Sequence, residues 1–257
     1  MAGSEGPHLS LLHHLPGYPA LEAALGRSLG QPYLGEVSPG QPVGVTHVIM
    51  AGLVVVVVTG LLLRSGYHKL EAEGRIVPEE RLTLRTFFEL LMEVVLSTMR
   101  DVIGPKHADR FLPLIGTLAV FILFSNLAGL IPGFSSPTSN LNTTAACAVV
   151  VFLVTHYWGF RIHGIKYVKH FMGPVIWLAP LMIPIELVSH LARPLSLSLR
   201  LFGNMFGDHM VLGFFLLIPL FVPLPMMVLG LLIAVVQTMV FCMLTMVYIG
   251  QAVSEAH

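Results

Sequence analysis

Arg200 is a single cation set in an apolar run. The segment Pro194-Leu-Ser-Leu-Ser-Leu-Arg-Leu-Phe-Gly-Asn-Met-Phe-Gly207 holds no acidic residue, and none lies within seven positions of Arg200 on either side. A guanidinium stays charged in a protein. Placing one at the centre of a bilayer costs about 2.5–3.5 kcal/mol on insertion scales. Arg200 therefore needs a counter-charge, and by that need it marks a functional site. Its available chemistry is electrostatic: it can hold an anion or turn back a cation.

Other polar side chains recur around it at helical spacing. Asn204 lies one turn on, and Asp208 lies eight residues on, about 12 Å along a helix. His209 follows at once. In the other direction Glu186 is fourteen residues away, about 21 Å, and returns to nearly the same face. His190 is one turn from Glu186. A later apolar run carries Gln237, and the prolines near Pro219 make a turn between the two runs. A hairpin about that turn puts Arg200 and Gln237 at similar depth. It also sets Asp208 opposite Gly230, with His209 close by and Gly230 leaving room. Ala192, Ser196, Gly203 and Gly207 share one helix face, and small residues so spaced let another helix approach closely. Two ionisable sets thus flank one fixed cation.

The elements that must position these groups follow from hydropathy. The chain has 257 residues, 55% of them hydrophobic and only 11% charged. Soluble domains carry about 25% charged residues, so this composition reads as an all-α membrane protein. Residues 1–43 form an extramembrane arm rich in proline, and residues 44–257 form one membrane domain. Apolar spans are expected over 44–63, 111–131 and 144–162. Residues 171–185 are interrupted by Pro174, Pro180 and Pro184 and read as an irregular approach segment. A long tilted hairpin then covers about 185–251, made of helices 185–217 and 226–251. That gives about five transmembrane helices. Residues 81–103 differ, because Arg81, Arg85, Glu89 and Glu93 recur every four residues opposite Leu84, Phe87, Phe88, Leu91 and Val95. That pattern is an amphipathic interfacial helix, ended by Gly104-Pro105.

Of the fourteen Lys and Arg residues, eight lie in 64–110 and three in 161–169. The positive-inside rule puts those stretches in the cytoplasm. The N-terminus is then outside, and five crossings bring the C-terminus inside. A net charge of zero argues against a nucleic-acid partner. Cys147 and Cys242 sit in apolar runs and suit neither a disulfide framework nor a zinc site. No metal or cofactor site is expected. His156, His163 and His170 recur every seven residues beside Arg161, Lys166 and Lys169, and read as residues of a span's cytoplasmic end rather than haem ligands. No second histidine pair is expected to face them. Asn142-Thr-Thr144 matches a glycosylation sequon by chance.

Taken singly, Glu186 with His190, and Asp208 with His209, could each be interfacial residues. Gln237 and Asn204 could be interhelical hydrogen-bond glue. Together the groups suggest an ion path. The competing class is a stand-alone polytopic transporter in which Arg200 binds an anionic substrate. Such folds often show two similar halves, and no internal repeat is visible here.

The run Ile185-Glu-Leu-Val-Ser-His-Leu-Ala-Arg-Pro-Leu-Ser-Leu-Ser-Leu-Arg-Leu-Phe-Gly-Asn-Met-Phe-Gly207 closely resembles subunit a of the F-type ATP synthase. So does Val236-Gln-Thr-Met-Val-Phe-Cys-Met-Leu-Thr-Met-Val-Tyr-Ile249. Ser125-Asn-Leu-Ala-Gly-Leu-Ile-Pro132 and Asn140-Leu-Asn142 fit the same family, and the resemblance spans roughly residues 44–255. It implies a non-catalytic, proton-translocating subunit of a bacterial inner membrane. The implied partners are a rotor ring of subunit c, the peripheral-stalk subunit b, the other synthase subunits and membrane lipid. By the same resemblance Arg200 matches the stator arginine that faces each ring carboxylate. Asn204 and Gln237 match polar residues lining that region, and Glu186 matches the acid of the cytoplasmic half-channel. The chain departs from the commonest bacterial pattern at three positions. His209 stands where glutamate is usual, Gly230 where histidine is usual, and Asp208 where glycine is frequent. The resemblance thus implies an outer half-channel whose polar groups are redistributed onto Asp208 and His209.

Overall fold

The computed structural model describes residues 46–64, 83–131, 134–164, 179–215 and 223–253, together with Ala20 and Ala24. Helices dominate: α1 (Thr46–Arg64), α2 (Leu84–Val102), α3 (Pro105–Ala128), α4 (Leu141–His163), α5 (Ala179–Phe215) and α6 (Pro223–Val253), with a 3-10 turn at Pro137–Ser139 between α3 and α4. The extramembrane arm, the lysines of 166–169 and the turn around Pro219 fall outside the described residues. Among the described residues, four helices are long and apolar enough to cross a membrane: α1, α3, α4 and α6. In a bilayer only internal hydrogen bonding satisfies the backbone. That is why even the five consecutive valines of α1, which favour strands elsewhere, are helical.

The amphipathic helix forms as expected. Thr83 caps α2 by accepting from the Thr86 N–H at 3.4 Å, and Arg85 donates to Glu89 at 2.8 Å one turn on. Its buried Phe88, Val95 and Met99 face inward. Phe88 stacks on Phe124 with ring centroids 6.0 Å apart, while Met92 reaches over Gly116. Residues early in α2 thus meet residues late in α3, so the two helices run antiparallel. Gly104 makes the corner with φ 94°, a value that suits a residue without a β-carbon. Pro105 then opens α3 six residues earlier than hydropathy alone placed the span. Proline is well suited to a helix's first turn, where its missing N–H has no partner to serve.

The same reasoning corrects the segment read as irregular before residue 185. Helix α5 begins at Ala179 and runs 37 residues through Pro184 and Pro194. Pro180 falls in its first turn, and interior prolines are tolerated in membrane helices. Residues 171–178 lie outside the described residues. At about 1.5 Å per residue α5 is about 55 Å long, well beyond a hydrocarbon core of about 30 Å.

Two apolar clusters hold the bundle. One joins Val95 and Met99 of α2 to Phe111 and Ile115 of α3 and Met246 and Ile249 of α6. The other joins Leu118 and Ile122 of α3, Ala148 and Val151 of α4, Leu197, Leu201 and Met205 of α5, and Phe241 of α6. The four-residue spacing of Leu197, Leu201 and Met205 fixes which face of α5 turns inward.

Candidate functional site

That inward face decides where Arg200 goes. Its neighbour Leu201 is fully buried, and Arg200, about 100° round α5 from it, is exposed. Among the described residues no carboxylate comes within ion-pair distance of Arg200. Ala192, Ser196 and Gly203 are exposed on the same side, and a β-carbon added at Gly203 or Gly207 would meet no atom within 4 Å. The small-residue stripe is therefore uncovered, with Arg200 standing within it.

Three contacts fix the register of the α5–α6 hairpin. The Arg193 guanidinium lies over the Tyr248 ring at 5.5 Å. The Asn204 amide donates to Gln237 Oε1 at 2.6 Å. A β-carbon at Gly230 would lie 2.8 Å from Asp208 Oδ2. Asp208 thus faces Gly230 as the hairpin arithmetic requires. Arg200, however, is not level with Gln237: the partner of Gln237 is Asn204, one turn nearer the hairpin's turn. Gln237 is only 4% exposed, and its side-chain carbonyl finds its partner in Asn204. Its Nε2 has no hydrogen-bond partner among the described residues.

His209 departs from expectation. It does not share the space at Gly230 but turns to the C-cap of α3, where its ring lies against Gly129. A β-carbon at Gly129 would collide with that imidazole. Gly230 of α6 and Gly129 at the C-cap of α3 thus receive the two adjacent side chains. The role of Gly129 was invisible in the sequence, because nothing local couples it to a residue eighty positions away.

Next to His209 lies a buried polar network that sequence reasoning also missed. Ser136 donates to the Ser125 carbonyl at 2.8 Å, and Thr138 donates to Asn126 Oδ1 at 2.6 Å. The Asn126 amide donates to the Ala234 carbonyl at 3.3 Å and to Thr238 at 3.4 Å. This network ties α3, the 3-10 turn and α6 together near Asp208 and His209. Asn126 lies in a span otherwise dominated by apolar side chains, and that was the available signal.

At the far end of α5 Glu186 and His190 stay together. His190 Nδ1 lies 3.3 Å from Glu186 Oε1 and 3.0 Å from the Glu186 carbonyl oxygen. His190 is buried at 7% exposure. His156 of α4 packs its ring against His190 with centroids 5.4 Å apart. Among the described residues one histidine, not a pair, thus faces the His156 series. Helical spacing pairs His190 with Glu186, and only the α4–α5 contact brings the two rings together.

A family profile described as ATP synthase A chain matches residues 47–250 of this sequence. The chain belongs to that family. It is 53% identical over 212 residues to ATP synthase subunit a 2 of Syntrophotalea carbinolica, covering 82% of this chain and 87% of that protein. It is 44% identical over 251 residues to ATP synthase subunit a of Sorangium cellulosum, covering 96% and 95%. It is 55% identical over 175 residues to the subunit a of Geobacter sulfurreducens, covering 68% and 76%. Membership in the ATP synthase A chain family and the four apolar helices make this a multi-pass membrane component of a proton-transporting ATP synthase.

Proposed function

We propose that the chain is the non-catalytic stator of the membrane sector and forms two offset aqueous half-channels against a rotating ring of subunit c. The carrying observation is the position of Arg200. It stands exposed on a face lined by small residues, and among the described residues no carboxylate pairs with it, which supports a counter-charge supplied by another chain. A ring helix bearing a carboxylate fits that face. In this reading protons enter from the outer side past Asp208, His209 and the Asn204–Gln237 pair. There they neutralise a ring carboxylate, which can then rotate into lipid. A bare carboxylate facing hydrocarbon is too costly to make that move. After nearly a full rotation the proton leaves past His190 and Glu186.

Arg200 divides the two paths. It favours the ionised carboxylate beside it and repels protons, so no direct leak joins the halves. Each elementary charge crossing 100 mV supplies about 2.3 kcal/mol of work. The N-terminus lies outside and the C-terminus in the cytoplasm, the membrane is the bacterial inner membrane, and subunit b packs beside the chain as the peripheral stalk.

Arg200→Ala in the assembled synthase is the test. Proton-driven ATP synthesis in inverted vesicles should fall to background, while ring association is retained. Synthesis at the unsubstituted rate would remove the proposal. The alternative reading, a stand-alone transporter, has no comparable support, and co-purification with an oligomeric ring of small hairpin proteins separates the two.

A further inference from the structure

The release path proposed above uses Glu186 and His190 on α5. A third titratable group on a different helix stands against them. The His156 ring meets the His190 ring at 5.4 Å with an interplanar angle of 72°. His156 is held in place twice. Its Nδ1 lies 2.9 Å from the Phe152 carbonyl oxygen, and its ring packs on Phe152 at 4.0 Å. His190 is held the same way, with its Nδ1 on the Glu186 carbonyl. An imidazole whose Nδ1–H donates to a carbonyl presents Nε2 as its basic nitrogen. Both rings are thus held at Nδ1 by a carbonyl of the preceding turn of their own helix.

The depth of the pair fits a relay. His190 lies ten residues from Arg200, about 15 Å along α5, with Glu186 one turn beyond it. The pair therefore stands between the ring-facing cation and the exit carboxylate. The charged or titratable groups around it are few among the described residues. On α5 they are Glu186 and Arg193, with Arg193 turned over Tyr248 of α6. On α4, Arg161 and His163 lie further along, toward the helix end.

We infer that His156 is a proton-carrying residue of the release half-channel, forming with His190 a two-imidazole station that passes protons to Glu186. The inference rests on the half-channel reading. A proton leaving the ring carboxylate is taken up by one neutral imidazole, which becomes an imidazolium. The station gives a proton to the Glu186 carboxylate, which becomes a carboxylic acid and loses it to water. Two imidazolium rings this close repel, so the station holds one proton at a time and releases as it fills.

The experiment uses the complete synthase in inverted vesicles, and then the same vesicles stripped of the catalytic head. His156→Gln keeps an amide able to bond the Phe152 carbonyl but cannot carry a proton. Passive proton conductance should fall several-fold, the pH profile of conductance should change shape, and ring co-purification should be unaltered. His156→Ala should lose conductance likewise and recover part of it when imidazole is added. Conductance and pH profile of His156→Gln matching the unsubstituted protein would overturn the inference. So would a loss that imidazole leaves unrelieved with an unchanged pH profile, because that assigns His156 to packing alone. Arg200→Ala run in parallel separates the two levels. If it abolishes synthesis while His156→Gln conducts normally, only the histidine station is lost. If it synthesises normally, the half-channel reading itself fails.

Discussion

Replacing Gly230 with alanine would push a methyl group into space that Asp208 already occupies. The new β-carbon would lie 2.8 Å and 3.2 Å from the two Asp208 carboxylate oxygens and 2.6 Å from Leu130 Cδ2. Comfortable carbon contacts lie at about 3.5–4.0 Å, so at least one neighbour must move. Leu130 can rotate its terminal methyl. Asp208 can only swing away, or α6 must retreat from α5. Retreat would also lengthen the 2.6 Å contact between Asn204 and Gln237, seven residues further along α6. Overpacking of this kind costs typically about 1–3 kcal/mol. If that whole cost falls on the conducting arrangement, transport slows about 5- to 150-fold. The assay is proton-driven ATP synthesis in inverted vesicles, paired with thermal unfolding of the purified membrane sector. Gly60→Ala on α1 is the control, because a β-carbon there meets nothing within 4 Å. Adding Asp208→Gly to Gly230→Ala should restore thermal stability but not transport, since the carboxylate is then gone. Synthesis and unfolding of Gly230→Ala equal to those of Gly60→Ala would refute the idea that Gly230 exists to seat Asp208.

Two further outcomes test the same region. Asp208→Asn and His209→Ala should each slow proton-driven synthesis without loss of ring association, and unsubstituted rates in both would reduce them to packing residues. Asn204→Ala removes the partner of Gln237 Oε1, and interhelical hydrogen bonds in membranes average about 0.6 kcal/mol with a maximum near 1.7. It should therefore lower the unfolding temperature only slightly while weakening proton pumping, and a large stability loss would contradict that estimate.

The roles in this site were unequally legible. Arg200 announced itself because a permanent charge in an apolar run is costly wherever the helix packs. Glu186 with His190 was legible because four residues make one helical turn. Asp208 opposite Gly230 was legible because a hairpin maps one helix onto the other. The same arithmetic missed the level of Gln237 by one turn. A hairpin's register depends on side-chain pairing as well as chain length, and the buried amide chose Asn204.

Composition and periodicity alone determined that the chain is an all-α membrane protein with a cation in an apolar run and no acidic residue within seven positions of it. They determined the helices and the polar residues those helices carry, because hydropathy and helical period act locally. Tertiary structure decided which side chains meet across helices. It turned His209 to Gly129 at the C-cap of α3 and set His156 of α4 on His190. It linked Asn126 to Thr138 and Thr238. It also left the Arg200 face of α5 uncovered, since Leu197, Leu201 and Met205 claim the core. These pairings join residues tens of positions apart, and the packing of whole helices selects them.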